Sequence, residues 1–293
     1  MSKINLTALF SSVAVVVGAL GAIATPAQAG TMHNGWNYSI DAFNDGSGGS
    51  SYEIKGLASK ETDDSIFFAI NGGTPLGGVY NNNSADDNTG WGDLFLNFSG
   101  EDFQSALGSE SLLGVRFAET NDSEVGEVGV YNNISAKRVT LDNNGYKHLD
   151  HYYNSGFNKD NTYGTDLATK AEAKDYLEGN ERKFLNVMDE GNYLGGITNL
   201  AAGELDGLDF ANFNASGSET FGFKLDKSML EGVLPGGITD YMAHVILECG
   251  NDGVALAGEF DIPEEEDTDV PEPAALLGLG SLGLLLVKGR KQQ

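Results

Sequence analysis

Along residues 36–43 the chain reads "WNYSIDAF", with Trp36, Tyr38, Ile40 and Ala42 on one face and polar residues between them. A period of two predicts a half-buried strand. "SYEIKGLA" alternates in the same way, with Tyr52, Ile54 and Gly56 on one side and Glu53 and Lys55 on the other. "DSIFFAING" is apolar almost throughout, the pattern of a strand covered on both faces. "WGDLFLNFSG" sets Trp91, Asp93, Phe95 and Asn97 against Leu94, Leu96 and Phe98. Further strands are expected in "LLGVRFA", "VGVYNNI", "KRVTL", "KFLNVM", "ETFGFKLD", "YMAHVILEC" and "VALAGEF". Between them lie "NDGSGGS", "NGGTPLGG" and "NNNSADDNTG", rich in the residues that accept the positive φ of tight turns.

Two segments leave this pattern. In "TKAEAKDYLEGN", Thr169 and Glu172 have capping-box spacing, helix formers follow, and Gly179-Asn180 is a stop, so a short helix is expected over 170–178. A second helical turn is expected at Asp226–Glu231. The pattern as a whole predicts an all-β fold, an antiparallel β-sandwich or jelly-roll-like body with one or two short helices. No internal repeat is evident. The body spans 30–261, and the acid-rich run that follows makes 262–269 an extended linker.

The two ends differ from the body. Residues 1–29 carry Lys3, then an apolar stretch from Ala8 to Ala24, then Ala27-Gln28-Ala29 after Pro26. This is the layout of a secretory signal helix with a small-residue cleavage site, and signal peptidase would leave Gly30 as the first residue. At the other end, residues 270–293 read "VPEPAALLGLGSLGLLLVKGRKQQ". The apolar run Ala274–Val287 would make a hydrophobic helix of roughly 21 Å at ~1.5 Å per residue, short of the ~20 residues a permanent span needs. Lys288, Arg290 and Lys291 after it would hold that end in the cytoplasm.

Val270-Pro271-Glu272-Pro273, a short Leu/Gly helix and a basic cluster, in that order, resemble the PEP-CTERM sorting signal. That resemblance implies handling by exosortase, a membrane-embedded cysteine protease that cuts near the Pro-Glu-Pro and releases or transfers its substrate to the surface. The blocks "GWNYSIDAFNDGSGGSSYEIKGLASKETDDSIFFAINGGTPLGG", "GWGDLFLNFSG", "TKAEAKDYLEGN" and "YMAHVILECGNDGVALAGEF" resemble a cyanobacterial family of exosortase-dependent surface proteins over most of residues 34–260. This implies an extracellular surface protein with a β-rich body, and it carries over no catalytic residue. The partners it implies are signal peptidase and an exosortase-type protease, with envelope lipid or exopolysaccharide as the place of attachment.

Charge sharpens the picture. The chain has 17 Lys and Arg against 43 Asp and Glu. The end segments 1–29 and 270–293 hold four of the basic residues and one acid, so residues 30–269 keep 13 against 42, near −29. Such a field repels nucleic acid and attracts divalent cations. The single cysteine, Cys249, excludes an intramolecular disulfide and a Cys-rich zinc site.

Four constellations could carry chemistry. Asp41, Asn44 and Asp45, Asp63 and Asp64, Asp86, Asp87, Asn88 and Asp93, and Asn251 and Asp252 offer the hard oxygens calcium needs. Asp41, Asp45, Asp86, Asp87 and Asp93 are the candidate ligands, although EF-hand spacing fails and such residues also serve turns. In "HLDHYY", His148, Asp150 and His151 suggest zinc but lack further ligands; an exposed loop or strand end is expected there. No pair of carboxylates stands out for glycoside hydrolysis. Trp36, Trp91, Tyr131, Tyr152, Tyr153 and Tyr163 could stack on sugars, but the two tryptophans sit where core packing is expected. Cys249 and His244 point to opposite faces of one strand, so they make no catalytic pair. The expectation is a non-enzymatic surface or matrix protein with no cofactor, calcium excepted. A calcium-dependent carbohydrate-binding module and an extracellular glycan hydrolase or lyase are the alternatives.

Overall fold

The computed structural model describes residues 30–42, 50–155, 167, 169–179 and 182–263. The expected signal helix, the acidic run after residue 263 and the C-terminal sorting segment lie outside the described residues.

The chain begins with a meander of four strands, β1 (Thr31–His33), β2 (Trp36–Ile40), β3 (Ile54–Glu61) and β4 (Ser65–Gly72). A small hairpin, β5 (Val79–Tyr80) and β6 (Asn88–Thr89), leads to a second meander. That meander comprises β7 (Leu94–Asn97), β8 (Leu112–Arg116), β9 (Gly129–Lys137) and β10 (Val187–Gly195). Two later strand pairs, β11 (Thr198–Ala201) with β12 (Glu219–Asp226) and β13 (Gly237–Ile246) with β14 (Gly253–Ile262), each join one of the meanders. The result is two six-stranded sheets, ordered β1-β2-β3-β4-β12-β11 and β10-β9-β8-β7-β13-β14. Every pairing is antiparallel, as expected for an all-β chain of short strands.

A single apolar cluster joins the two sheets. Ile54, Leu57, Ile66, Phe68, Ile70 and Phe223 enter it from the first, and Leu94, Leu96, Val115, Val130, Tyr241 and Val245 from the second. The outer faces are covered too. Leu205, Phe210 and Phe213 lie over Trp36, Tyr38, Ala58 and Ala69 of the first sheet. On the second sheet, α1 (Phe103–Ala106) covers Phe95 and Met188. Helices α2 (Leu149–Asn154) and α3 (Lys170–Ala173) cover Ile246. This explains the near-continuous apolar run of β4: Ile66, Phe68 and Ile70 face the inter-sheet core, while Phe67 and Ala69 face the outer layer.

Three local features differ from the simple periodic pattern. Ser50–Tyr52 forms a 3-10 turn, and β3 starts only at Ile54, with a bulge between Ile54 and Gly56. The extra residue changes the parity, so Ile54 shares the inter-sheet core with Leu57 and not with Gly56. "KRVTL" leaves the strand after Lys137 and enters a turn at Thr140, and of "KFLNVM" only Val187 and Met188 are strand. His148 and His151 belong to a helix, not to a loop or strand end. His148 caps α2, its Nδ1 accepting the His151 N–H at 3.1 Å. The expected helix over 170–178 is present, with the Thr169–Glu172 capping box formed, and it widens into a π turn at Lys174–Glu178. The last strand ends at Ile262, one residue past the expected end of the body.

Candidate functional site

The acids singled out in the sequence fall in three places. Asp45 lies outside the described residues, as do Ala27, Ala29, Val270, Pro271, Glu272, Pro273, Lys288, Arg290 and Lys291. Asp86 and Asp87 form the exposed turn between β5 and β6. The Asp86 carboxylate accepts the Asn88 N–H at 3.0 Å, and Asp87 has φ 62°, the local use of such residues in turns. Asp41, just past β2, is buried and accepts the Ala42 N–H at 2.9 Å.

Asp93 is the most built of them. It is fully buried at the start of β7, and its two oxygens accept three hydrogen bonds from two segments distant in sequence, the β8–β9 loop and β10. Asn121 Nδ2 donates to Oδ1 at 2.7 Å. Ser123 Oγ and the Met188 N–H donate to Oδ2 at 2.7 and 2.6 Å. Burial pushes this carboxyl up to about 6, against the pull of its donors and of Arg116. Arg116 reaches it only through Asn121, whose Oδ1 accepts from Nε at 3.0 Å, while Nη1 donates to the Val125 carbonyl.

A second buried carboxylate joins this network through the neighbouring residues of the β8–β9 loop, and the sequence does not single it out. Glu248, on the β13–β14 turn, accepts the Gly90 N–H and the Asp122 N–H at 2.6 Å each. Burial, together with the carboxylates of Asp122 and Asp86, pushes it up to about 8. Asp122 is itself raised by burial and accepts from Asn143 Nδ2 at 2.7 Å. Asn186 completes the group. Its Nδ2 donates to the carbonyls of Leu247 and Glu248, and its Oδ1 accepts the Val139 N–H. The hub therefore ties β7, the β8–β9 loop, the segment after β9, the start of β10 and the β13–β14 turn into one network. Gly92 lies in it, and a Cβ there would come within 2.2 Å of the Asn186 carbonyl oxygen.

Among the described residues, no three His, Cys, Asp or Glu side chains group as metal ligands. The His148 and His151 rings are tilted at 54° to each other with centroids 6.2 Å apart, and Asp150 between them in sequence is engaged by Lys170, Lys174 and Arg182. Those cations hold its carboxyl well below the usual range. Trp36 and Trp91 are core, with indole N–H groups donating to the Asp206 and Pro75 carbonyls. Tyr131 and Tyr152 are buried, Tyr153 lies under the Lys170 ammonium at 5.3 Å, and Tyr163 is outside the described residues.

A cavity of about 70 Å³ sits between the outer face of β13–β14 and helices α2 and α3, lined by His244, Ile246, Tyr152, Leu177, Asp41 and Asp252 among others. It has room for a few waters, not for a sugar ring. Burial lowers the His244 imidazole to about 3, so it is neutral there. Cys249 shares the inter-sheet core with Val245 and Leu247 on the opposite face, and burial pushes its thiol up to about 12. The two residues are separated by the sheet, as their strand parity requires.

No family model, no curated protein and no solved structure matches the chain.

Proposed function

We propose that the chain is an exported surface or matrix protein with a β-sandwich body. A temporary membrane hold would be released by an exosortase-type protease near Pro271-Glu272-Pro273, and the body's role is structural or interactive, not catalytic. The observation that carries this is where the fold starts and stops between the two terminal signals. Gly30, the first residue after the expected signal-peptidase site, already packs in the body: its N–H donates to the Ala257 carbonyl at 3.4 Å. A Cβ at Gly30 would come within 2.4 Å of Asn37 Oδ1. At the other end the last strand closes at Ile262. Both signals can be removed without removing a strand.

The use of the buried acids supports the structural role. Asp93 and Glu248 would be the first choices for a general acid or base, given their raised affinity for protons. Their oxygens hold backbone N–H groups and side-chain amides of the fold itself. A calcium-dependent binding role is the second reading, favoured by the charge of residues 30–269, near −29, which attracts divalent cations. The processing is tested by intact-mass measurement of the protein recovered from the producing cell. The expected mass begins at Gly30 and lacks residues 274–293; a mature protein that retains the C-terminal helix would overturn the exosortase step.

A further inference from the structure

Where β2 packs beside β14, a buried acceptor has nothing to accept. β14 is an outer strand of the second sheet, and Ala257 lies midway along it. Its carbonyl receives two donors from the side of the first sheet, the Gly30 N–H at 3.4 Å and Asn37 Nδ2 at 2.9 Å. The second bond fixes the Asn37 amide, because turning it over would set Oδ1 against the Ala257 carbonyl oxygen, two acceptors face to face. Asn37 Oδ1 is thereby held as an acceptor. It is buried, and among the described residues it has no hydrogen-bond partner. Such a group carries a desolvation cost that a donor would remove.

Gly30 stands against this oxygen. A Cβ at Gly30 would come within 2.4 Å of Asn37 Oδ1 and within 2.6 Å of both the Tyr38 carbonyl oxygen and Leu256 Cδ1. Only glycine fits there without displacing a neighbour, and two of the three nearest atoms are oxygens. While Gly30 is in a peptide bond its nitrogen has one hydrogen, and Ala257 takes it. Hydrolysis of the Ala29–Gly30 bond changes the count. Water gives its hydroxyl to the Ala29 carbonyl carbon and a proton to the Gly30 nitrogen, which takes a further proton from solvent, since α-amines are protonated at neutral pH. The nitrogen then has three donors and a positive charge, in a body near −29. One donor can stay on Ala257, and a second can turn to Asn37 Oδ1 as a charge-assisted hydrogen bond.

We infer that Asn37 Oδ1, the Ala257 carbonyl and the glycine-sized gap beside Leu256 form a receiving site for a primary ammonium, the one that signal-peptide removal creates at Gly30. The new terminus latches the β1–β2 side of the first sheet to β14 of the second, so the body reaches full stability only after the cut. This rests on the export reading, which puts the cut before Gly30, and adds what the new terminus does.

The test begins with N-terminal sequencing of the exported protein, which should start at Gly30. Three forms of the chain, each running to Gln293 and kept in mild detergent, are then melted by calorimetry: one beginning at Gly30, one acetylated at the Gly30 nitrogen alone, and one beginning at Ala29. Acetylation leaves the Gly30 N–H and removes the charge and the extra donors; the Ala29 start moves the ammonium along by one residue. Both should melt at least about 4 °C below the Gly30 form, the effect of one charged hydrogen bond in a body of this size. In Asn37→Ala, which lacks Oδ1, acetylation should lower the melting temperature by less than half as much. An exported protein that begins elsewhere overturns the cut site and the latch together. If it begins at Gly30 but either blocked form melts with the Gly30 form, or if acetylation costs as much in Asn37→Ala as in the parent, the latch fails and the export reading stands.

Discussion

At the scale of single residues, the hub around Asp93 and Glu248 makes the sharpest demands. Asp93→Ala leaves three buried donors, on Asn121, Ser123 and Met188, without their acceptor. At about 1–3 kcal/mol for each, the loss should be roughly 3 kcal/mol or more. For a body of this size that lowers the melting temperature by about 6–12 °C, measurable by calorimetry. Glu248 makes a prediction about pH. Its folded value, about 8, lies above its ordinary 4.5, so the folded state holds a proton that the unfolded chain releases. Its contribution is fully present below about 4.5 and is lost as pH rises through about 8. Thermal stability should therefore fall between pH 5 and 8, and Glu248→Gln should flatten that slope. An unchanged slope in the variant would assign the pH dependence to other groups. Nothing in a linear reading could have assembled this hub. Asp93 is 28 residues from Asn121 and 95 from Met188, and its aspartate among turn residues gave a calcium signal equally well. The one local clue was an acid inside an otherwise apolar strand.

At the scale of elements, legibility followed burial. The segment "ETFGFKLD" is β12 over its whole length, because one face meets the core and the neighbouring strands fix its register. β10 was read only at Val187 and Met188. It is an edge strand, and from Asp189 onward it is largely exposed and broken by register shifts, so no alternation is imposed on it. The bulge in β3 was equally invisible, since an inserted residue preserves composition while inverting parity. The capping box of α3 was legible because it is local. Thr169→Ala should cost about 1 kcal/mol, or roughly 2–4 °C in melting temperature. The effect should extend to α2, because Glu178 at the end of the π turn accepts the Leu149 N–H at 2.6 Å. Hydrogen exchange at Leu149 in the Thr169→Ala variant would detect that coupling. The close approach of Gly145 to the β13–β14 turn sets a stricter limit. A Cβ would stand 1.7 Å from the Cys249 carbonyl oxygen, so Gly145→Ala should either displace this turn or prevent accumulation of folded protein.

At the scale of the whole molecule, the excess of acid governs behaviour that no single contact explains. A body near −29 repels itself, and added salt should raise its melting temperature by screening. Calcium can act in that general way or by binding. The two are separated by comparing calcium chloride with sodium chloride at equal ionic strength, each against chelator. The structural reading predicts equal shifts; an excess in calcium would favour the cation-dependent alternative.

The end of β14 also determines how the body would respond to load. Ile262 pairs with Gly237, and the ladder continues for ten pairs to Gly253 and Ile246. Beside its last residues, Asp261 donates its N–H to Glu61 at 2.8 Å and its carbonyl accepts from buried Lys227 at 2.8 Å. Glu61 and Lys227 are themselves paired at 2.5 Å. A protein hung from its C-terminal side would feel tension first at this point. A pull along the strand would shear the ladder as a block, whereas a pull across it would have to break the Glu61–Lys227 clip before peeling began. The same corner that closes the fold would thus serve as its mechanical fuse, and its strength would depend on the direction in which the surface is dragged.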